Sequence, residues 1–145
     1  MHSTTETAKT PSNVRILDHP AIKAKIDLLR DRSLRSSAVR ALTHELSQIV
    51  AIEATRSLPQ DTPKIALVPV LRAGLPMCEP FLAAVSPETD VVVYHLGLYR
   101  EKKTLEPVEY YNKLPSQGPR IERVFVVDPL IATGGTATAT IDILR

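Results

Sequence analysis

The sequence contains 145 residues, of which 43% are hydrophobic and 23% are charged, a balance that is ordinary for one globular domain and excludes a chain disordered throughout. The formal net charge of +2 is too small to indicate a nucleic-acid partner, and no apolar run approaches the ~20 residues that a membrane-spanning helix needs. Because Cys78 is the one cysteine, we expect a packed, unreactive thiol and a cytoplasmic location.

The amino-terminal part of the chain divides into a polar tail and a helical segment. Residues 1–13 lack the apolar centre of a secretory signal, so they are predicted to be a disordered tail before a single domain at 14–145. The following stretch, DHPAIKAKIDLLRD, predicts a short amphipathic helix. Asp18 or His19 can cap this helix, and Pro20 suits its first turn.

A longer helix is predicted in SLRSSAVRALTHELSQIVAIEATRSL. Ser33 is the candidate cap at its start. Leu42, Leu46, Ile49 and Val50 fall on one helical face, so we expect this face to be buried.

Three later runs, KIALVPV, DVVVYHLG and ERVFVVD, are rich in Val and Ile and show little alternation with polar residues. Such runs are typical of strands that are covered on both faces, as in parallel sheets. The stretch LPMCEPFLAAVS between the first two runs predicts a connecting helix that its two prolines make irregular or late-starting. A mainly parallel α/β sheet is therefore indicated.

The polar stretch YREKKTLEPVEYYNKLPSQGP is too long for a structureless loop in a compact domain. It predicts either a protruding hairpin or a functional flap. Val108, Tyr110 and Tyr111 favour a hairpin arm, in which we expect the two tyrosines to pack rather than to stack on a base.

The carboxyl-terminal stretch VFVVDPLIATGGTATATIDILR carries the clearest chemistry. A strand ends at Asp128, and Thr133-Gly134-Gly135-Thr136 precedes a helix predicted from about Thr136. Helix starts present unpaired N–H groups to anions, and ligands of α/β sheets bind beyond the carboxyl ends of the strands. The loop therefore predicts a phosphate site, although glycines used only for backbone freedom are the alternative explanation.

The loop has neither the lysine of a P-loop nor the further glycine of a dinucleotide-binding motif. A carboxylate a few residues before a phosphate cradle can accept hydrogen bonds from sugar hydroxyls. Asp128 together with the glycine loop therefore points to a ribose 5-phosphate.

Four stretches in this chain resemble uracil phosphoribosyltransferases, and they follow one another in the order found in that family. They are DHPAIKAKIDLLRD at 18–31, PVLRAGL at 69–75, GLYREKKTLEPVEYYNKL at 97–114 and DPLIATGGT at 128–136. Pro129 stands where phosphoribosyltransferases in general carry a second acid, as is usual in the uracil-specific branch. This departure argues against the RNA-binding pyrimidine attenuators.

The resemblance implies a type I phosphoribosyltransferase-like α/β fold, with a mainly parallel sheet flanked by helices, an amino-terminal helical segment and a hairpin arm. It implies pyrimidine salvage, in which uracil and 5-phosphoribosyl 1-diphosphate (PRPP) give UMP and diphosphate. Mg²⁺ is expected to bind with the diphosphate, without a metal site in the protein itself. Members usually form homo-oligomers and some respond to GTP, so GTP is a candidate effector.

The same resemblance assigns catalytic roles to Arg72 and Arg100, which would clamp the diphosphate, and to Asp128, which would accept hydrogen bonds from the ribose. Ala73 and Gly74 would leave space for the anion beside Arg72. No uracil-binding residue is assigned. The predicted PRPP-binding residues are Arg72, Arg100, Asp128, Pro129, Leu130, Ile131, Ala132, Thr133, Gly134, Gly135 and Thr136.

The family's uracil-recognition segment lies beyond the position of Arg145, so we expect an incomplete sheet and a short last helix in which Ile141 and Leu144, at an apolar spacing, are to be buried. Three hypotheses stay open: a piece of a full enzyme, a shortened non-catalytic paralogue that binds a phosphoribosyl ligand or a partner subunit, and an enzyme with another acceptor. We favour the first because both anion-binding loops are intact. It predicts that this chain binds PRPP but cannot make UMP alone.

Overall fold

The computed structural model of the protein describes residues 13–59, 64–101, 107–114 and 120–145. All but the last residue of the expected tail lies outside these ranges, so its disorder stays a prediction. Within them, no helix combines the length and the apolar composition that crossing a bilayer requires.

The two amino-terminal helices form where the sequence predicts them. Helix α1 covers Pro20–Leu29, and Nδ1 of His19 accepts a hydrogen bond of 3.1 Å from the N–H of Ala21, which confirms the predicted cap. Helix α2 covers Ser36–Thr55. The predicted cap of α2 at Ser33 is wrong, because the N–H and hydroxyl of Ser33 both donate to Asp31 in the preceding turn.

The buried face of α2 is narrower than its apolar residues suggest. Ser47 and Ala51, one helical turn apart, are its buried residues, and the Ser47 hydroxyl donates to the Thr43 carbonyl at 2.7 Å. Val50 is 44% exposed, so its predicted burial is wrong. Small side chains at the contact let the helix axis approach its neighbours closely, and Val50 then projects past the contact.

Strand β1, Lys64–Leu71, is the centre of a five-stranded sheet. Along one edge of β1, its first half pairs in parallel with β2, Asp90–Val93, and its end pairs in parallel with β3, Leu96–Arg100. The other edge of β1 pairs in parallel with β5, Arg123–Val127. Strand β4, Pro107–Asn112, runs antiparallel to β3. The predicted mainly parallel α/β sheet is confirmed.

Two segments, the one between β2 and β3 and the one after β1, have less regular secondary structure than a continuous strand or helix. The predicted strand DVVVYHLG is interrupted at Tyr94 and His95, although the N–H of Tyr94 still donates to the carbonyl of Leu67 at 2.9 Å. After β1, a 3₁₀ turn at Leu75–Met77 leads into helix α3, Cys78–Ala84. The irregular, late-starting helix expected from the prolines is confirmed.

Helices cover both faces of the sheet. On one face, Ile65 and Leu67 pack with Ala51 of α2 and Phe81 of α3. Helix α4, Gly135–Ile143, covers the other face. The second cluster comprises Val68, Leu96 and Leu98 with Tyr94, Ala139, Ile143 and Leu144. Because neighbouring residues of β1 point to opposite faces, one strand anchors both clusters.

Helix α4 turns a different side toward the sheet from the one its sequence predicts. Ile141 is 49% exposed, so its predicted burial is wrong, whereas Leu144 does pack against the sheet as expected. Ala139 and Ile143, four residues apart, form the helical contact instead. The hydroxyl of the fully buried Thr140 donates to the Thr136 carbonyl at 2.9 Å, so its polar group is satisfied within the helix.

The hairpin arm is confirmed by the antiparallel pairing of β3 with β4, although residues 102–106 between them lie outside the described ranges. A Cβ atom on Gly97 would lie 2.6 Å from Cζ of Tyr110. The absence of a side chain at Gly97 therefore lets the Tyr110 ring rest on β3. That ring also lies beside Tyr99, with centroids 6.1 Å apart, so Tyr110 packs within the arm as predicted.

We expect the substitution Phe81→Ala to lower the free energy of unfolding by about 3–5 kcal/mol, because it leaves a cavity beneath the sheet. Phe81 is 2% exposed, and its ring centroid lies 4.7 Å from that of Phe125 on β5. Urea unfolding followed by circular dichroism measures this loss. The control is Ile52→Ala, since Ile52 is 64% exposed on α2, and it should change stability by no more than about 0.5 kcal/mol. Equal losses for the two variants would contradict this assignment of the core.

Candidate functional site

The candidate site lies at the carboxyl ends of the two central strands. Strands β1 and β5 are parallel neighbours, and Pro69 of β1 is in register with Val127 of β5. Both strands therefore end at the same edge of the sheet. Arg72 and Asp128, which follow them directly, are brought to one end of the molecule as the sequence predicts.

A cavity of about 120 Å³ opens in the loop after β5. Its lining residues are Asp128, Leu130, Ile131, Ala132, Gly134, Thr136 and Ala137. Six of these belong to the predicted PRPP-binding set. Pro129, Thr133 and Gly135 lie in the same loop or at the helix start but do not line the cavity. Ala137 also lines the cavity but was not predicted to do so. Its position in the first turn of the predicted helix could have indicated this role.

The backbone at Gly134 turns the loop into the helix. Gly134 has φ of +82° and ψ of −11°, a left-handed conformation that residues with a side chain rarely adopt. Its carbonyl accepts a hydrogen bond of 2.8 Å from the N–H of Thr138. Gly134, at the N-cap, has no side chain with which to cap the helix, and the first N–H groups of a helix have no partner within it, which suits a bound anion.

Asp128 combines partial burial with unused hydrogen-bonding capacity. Its carboxylate accepts one long bond of 3.4 Å from the N–H of Leu130 and, among the residues that the structure describes, forms no ion pair. An ionised carboxylate has about four acceptor positions. Most of them remain available to hydroxyl groups of a ligand in the adjoining cavity.

Arg72 faces a second and wider space. A groove of about 500 Å³ is lined by Leu71, Arg72, Leu98, Tyr99 and Tyr110. Arg72 is exposed and pairs with no carboxylate in the described ranges, and the peptide bond that precedes it is cis. A guanidinium without a protein partner can bind an anion through two parallel hydrogen bonds. Tyr99 and Tyr110 were not predicted to line a site.

The other predicted diphosphate ligand is only partly described. Arg100 is the last residue of β3, where it pairs with Pro107 of β4. Its side chain lies outside the described part of the structure, so its role at the diphosphate stays a prediction.

The structure corrects the role expected for Gly74. Ala73 and Gly74 were expected to leave room for an anion next to Arg72. Gly74 is buried and does not line either cavity. A Cβ atom on Gly74 would lie 2.3 Å from the carbonyl oxygen of Val127, so the free space at this glycine is filled by β5.

Cys78 lies below this edge and takes no part in the site. Its Sγ approaches the carbonyl oxygen of Gly74 at 3.9 Å. Burial, with a smaller contribution from the neighbouring charge of Glu79, raises the pKa of the Cys78 thiol. The thiol therefore stays protonated near neutral pH, in agreement with the predicted packed and unreactive cysteine.

We expect Gly134→Ala to lower the free energy of unfolding by about 1–2 kcal/mol, because it forces an L side chain into the left-handed region. Nothing lies within 4 Å of the added Cβ, so steric overlap does not contribute. Gly134→Asn is the matched control. Because asparagine tolerates this conformation, this variant should lose less of the free energy of unfolding. Thermal unfolding of the two variants measures the difference. A smaller loss for the alanine variant would contradict the assigned backbone conformation.

Comparisons with known proteins agree with this geometry. The model of the family described as "Uracil phosphoribosyltransferase" matches residues 60–145, which include both loops. Uracil phosphoribosyltransferase of Lachnoclostridium phytofermentans is 42% identical over an alignment of 151 positions, which covers 92% of this chain and 70% of that protein.

Solved structures share the fold. The AQ2163 protein of Aquifex aeolicus superposes with a TM-score of 0.72 at 30% identity, over 88% of this chain and 67% of that one. A hypoxanthine-guanine phosphoribosyltransferase of Bacillus anthracis superposes with a TM-score of 0.54 at 16% identity, over 72% of this chain and 59% of that one. The second likeness shows the phosphoribosyltransferase fold alone. With the family match and the identity to its members, the chain belongs to the uracil phosphoribosyltransferase family.

Proposed function

We propose that this protein binds PRPP and transfers its phosphoribosyl group to uracil, which yields UMP and diphosphate. One observation carries the proposal: the anion-binding loop after β5 and the unpaired Arg72 after β1 lie at the same end of two adjacent strands. PRPP has phosphate groups at both ends of its ribose. A site with two anion-binding loops at one sheet edge matches a ligand of this kind.

Each end of the ligand has a chemically suitable partner. The 5′-phosphate fits the cavity at the start of α4, where N–H groups and the helix dipole favour negative charge. The carboxylate of Asp128 lines the same cavity and would accept hydrogen bonds from the ribose hydroxyls. Arg72, with Arg100 as its proposed companion, would hold the diphosphate in the wider groove.

The proposed reaction breaks the bond between C1′ and the diphosphate oxygen and forms a bond from C1′ to a ring nitrogen of uracil. The bonding electrons leave with the diphosphate, and the uracil nitrogen loses its proton to solvent. Positive charge develops on the ribose, where the carboxylate of Asp128 would stabilise it. The arginines would stabilise the negative charge on the leaving group, so the catalysis rests on positioning and electrostatics.

Mg²⁺ is proposed to bind together with the diphosphate rather than in a cage of protein ligands. In the described ranges, no group of three His, Cys, Asp or Glu side chains is placed to hold a metal ion. Mg²⁺ commonly binds substrate phosphates and waters with only one or two carboxylates, and Asp128 offers one such carboxylate. When bound, the ion would neutralise charge on the diphosphate.

Family resemblance also supports the proposals of a homo-oligomer, a cytoplasmic location and GTP as an effector. None of the residues described above is assigned to GTP. The base-binding residues are likewise unassigned, so uracil as the acceptor rests on family membership.

The proposal is tested by PRPP binding and by UMP formation. Titration calorimetry with PRPP and Mg²⁺ should show saturable binding to the chain, and incubation with radiolabelled uracil and PRPP should be assayed for UMP. UMP formation supports the whole proposal. Binding without UMP is the outcome expected of this chain alone, and it fits both a piece of a full enzyme and a phosphoribosyl-binding protein without turnover. Absence of PRPP binding would contradict both functions.

We expect Arg72→Ala to weaken the binding of PRPP by about tenfold to a hundredfold, because it removes charge-assisted hydrogen bonds to the diphosphate. The affinity for ribose 5-phosphate should change by less than about twofold, since its phosphate binds at the other loop. Arg30→Ala at the end of α1 is the control, because within the described ranges this exposed arginine forms an ion pair with Asp27 alone. Equal losses for PRPP and ribose 5-phosphate would contradict the assigned role.

A further inference from the structure

Gly74 lies where the loop after β1 touches the end of β5. Its N–H donates a hydrogen bond of 2.8 Å to the carbonyl of Val70, which fixes the tight turn that contains Arg72. A Cβ atom on Gly74 would lie 2.3 Å from the carbonyl oxygen of Val127, 2.8 Å from the backbone N of Val70 and 3.1 Å from its carbonyl oxygen. Backbone atoms therefore enclose this position.

The requirement at Gly74 is for space and not for an unusual backbone conformation. Its φ of −72° and ψ of −15° are accessible to any residue. The atoms that a side chain would meet belong to the backbone of two paired strands, which cannot rotate away as a flexible side chain can. Ordinary contact begins at 3.4 Å, so an added methyl group would push the Arg72 turn and β5 apart by about 1 Å.

We infer that Gly74 is a positioning residue that sets the separation between the two anion-binding loops. Val127 is the residue directly before Asp128, so the backbone that Gly74 touches leads straight into the phosphate-binding loop. The turn that carries Arg72 is thereby seated on the strand that carries Asp128. This inference rests on the proposed function, because it concerns a ligand that spans both loops.

The separation matters only for a ligand with charges at both ends. A single phosphate binds one loop, and a shift of the other loop leaves its contacts intact. A ligand that spans both loops must satisfy both sets of contacts at once, and losing charge-assisted hydrogen bonds at one end costs about tenfold to a hundredfold in affinity. An effect confined to two-ended ligands therefore distinguishes positioning from general damage to the fold.

The test compares three ligands on the wild-type chain and on Gly74→Ala, by calorimetry with Mg²⁺ present. We expect the affinity for PRPP to fall by about tenfold to a hundredfold. The affinities for ribose 5-phosphate and for inorganic diphosphate should each change by less than about twofold, because each occupies one loop. Retained binding of ribose 5-phosphate also shows that the variant is folded.

Gly134→Ala is the matched control, because it adds the same methyl group within the other loop. It should lower the affinities for ribose 5-phosphate and PRPP together and leave the affinity for diphosphate unchanged, because its backbone strain lies at the phosphate cavity. The two alanine variants are thus expected to differ in the affinity for ribose 5-phosphate, which falls in Gly134→Ala and is kept in Gly74→Ala.

Two results would overturn the inference alone: unchanged PRPP affinity in Gly74→Ala, or losses of equal size for PRPP and ribose 5-phosphate. Failure of the wild-type chain to bind PRPP would overturn the proposed function itself.

If Gly74→Ala does not fold, Ala73→Gly replaces it, because Ala73 is exposed and glycine loosens the same turn. That variant should lower the affinity for PRPP by about twofold to fivefold and leave the affinity for ribose 5-phosphate unchanged. Equal losses of affinity for the two ligands would again count against positioning.

Discussion

The parallel pairing of β1 with β5 is the constraint on which the rest of this structure depends. It brings two loops that are distant in the sequence to one edge of the sheet, and the backbone contact between Gly74 and Val127 holds them against each other. The helices on both faces bury β1 completely along most of its length, so this pairing is part of the core. The geometry of the site is thus tied to the stability of the fold.

The two loops offer different kinds of hydrogen-bond donor for an anion. The loop before α4 passes through a left-handed glycine to a helix start beside a small cavity, and a helix start offers backbone N–H groups. The turn after β1 offers a guanidinium on an exposed side chain, next to a wider groove with tyrosine walls. Fixed backbone donors suit a terminal phosphate that stays bound throughout, whereas a side chain can follow a leaving group as charge moves onto it. The arrangement fits transfer chemistry that needs no protein nucleophile.

The sequence predicted the features that depend on neighbouring residues. The cap at His19 and the turn into a helix at Gly134 are local patterns of residue type, and both appear where they were expected. The errors concern contacts across the fold. Gly74 was interpreted as room for a ligand because nothing near it in the sequence indicates that Val127 packs against it. The exposure of Ile141 depends on which side of α4 faces the sheet. Long-range pairing decides such positions, and a single sequence does not encode it as a local pattern.

A crystal structure of the chain with PRPP and Mg²⁺ tests the central claim most directly. The account predicts the 5′-phosphate oxygens within about 3.2 Å of the N–H groups of Gly134 and Thr136, with the diphosphate against the guanidinium of Arg72. A ligand bound in the reverse direction, or bound away from the edge formed by β1 and β5, would contradict it.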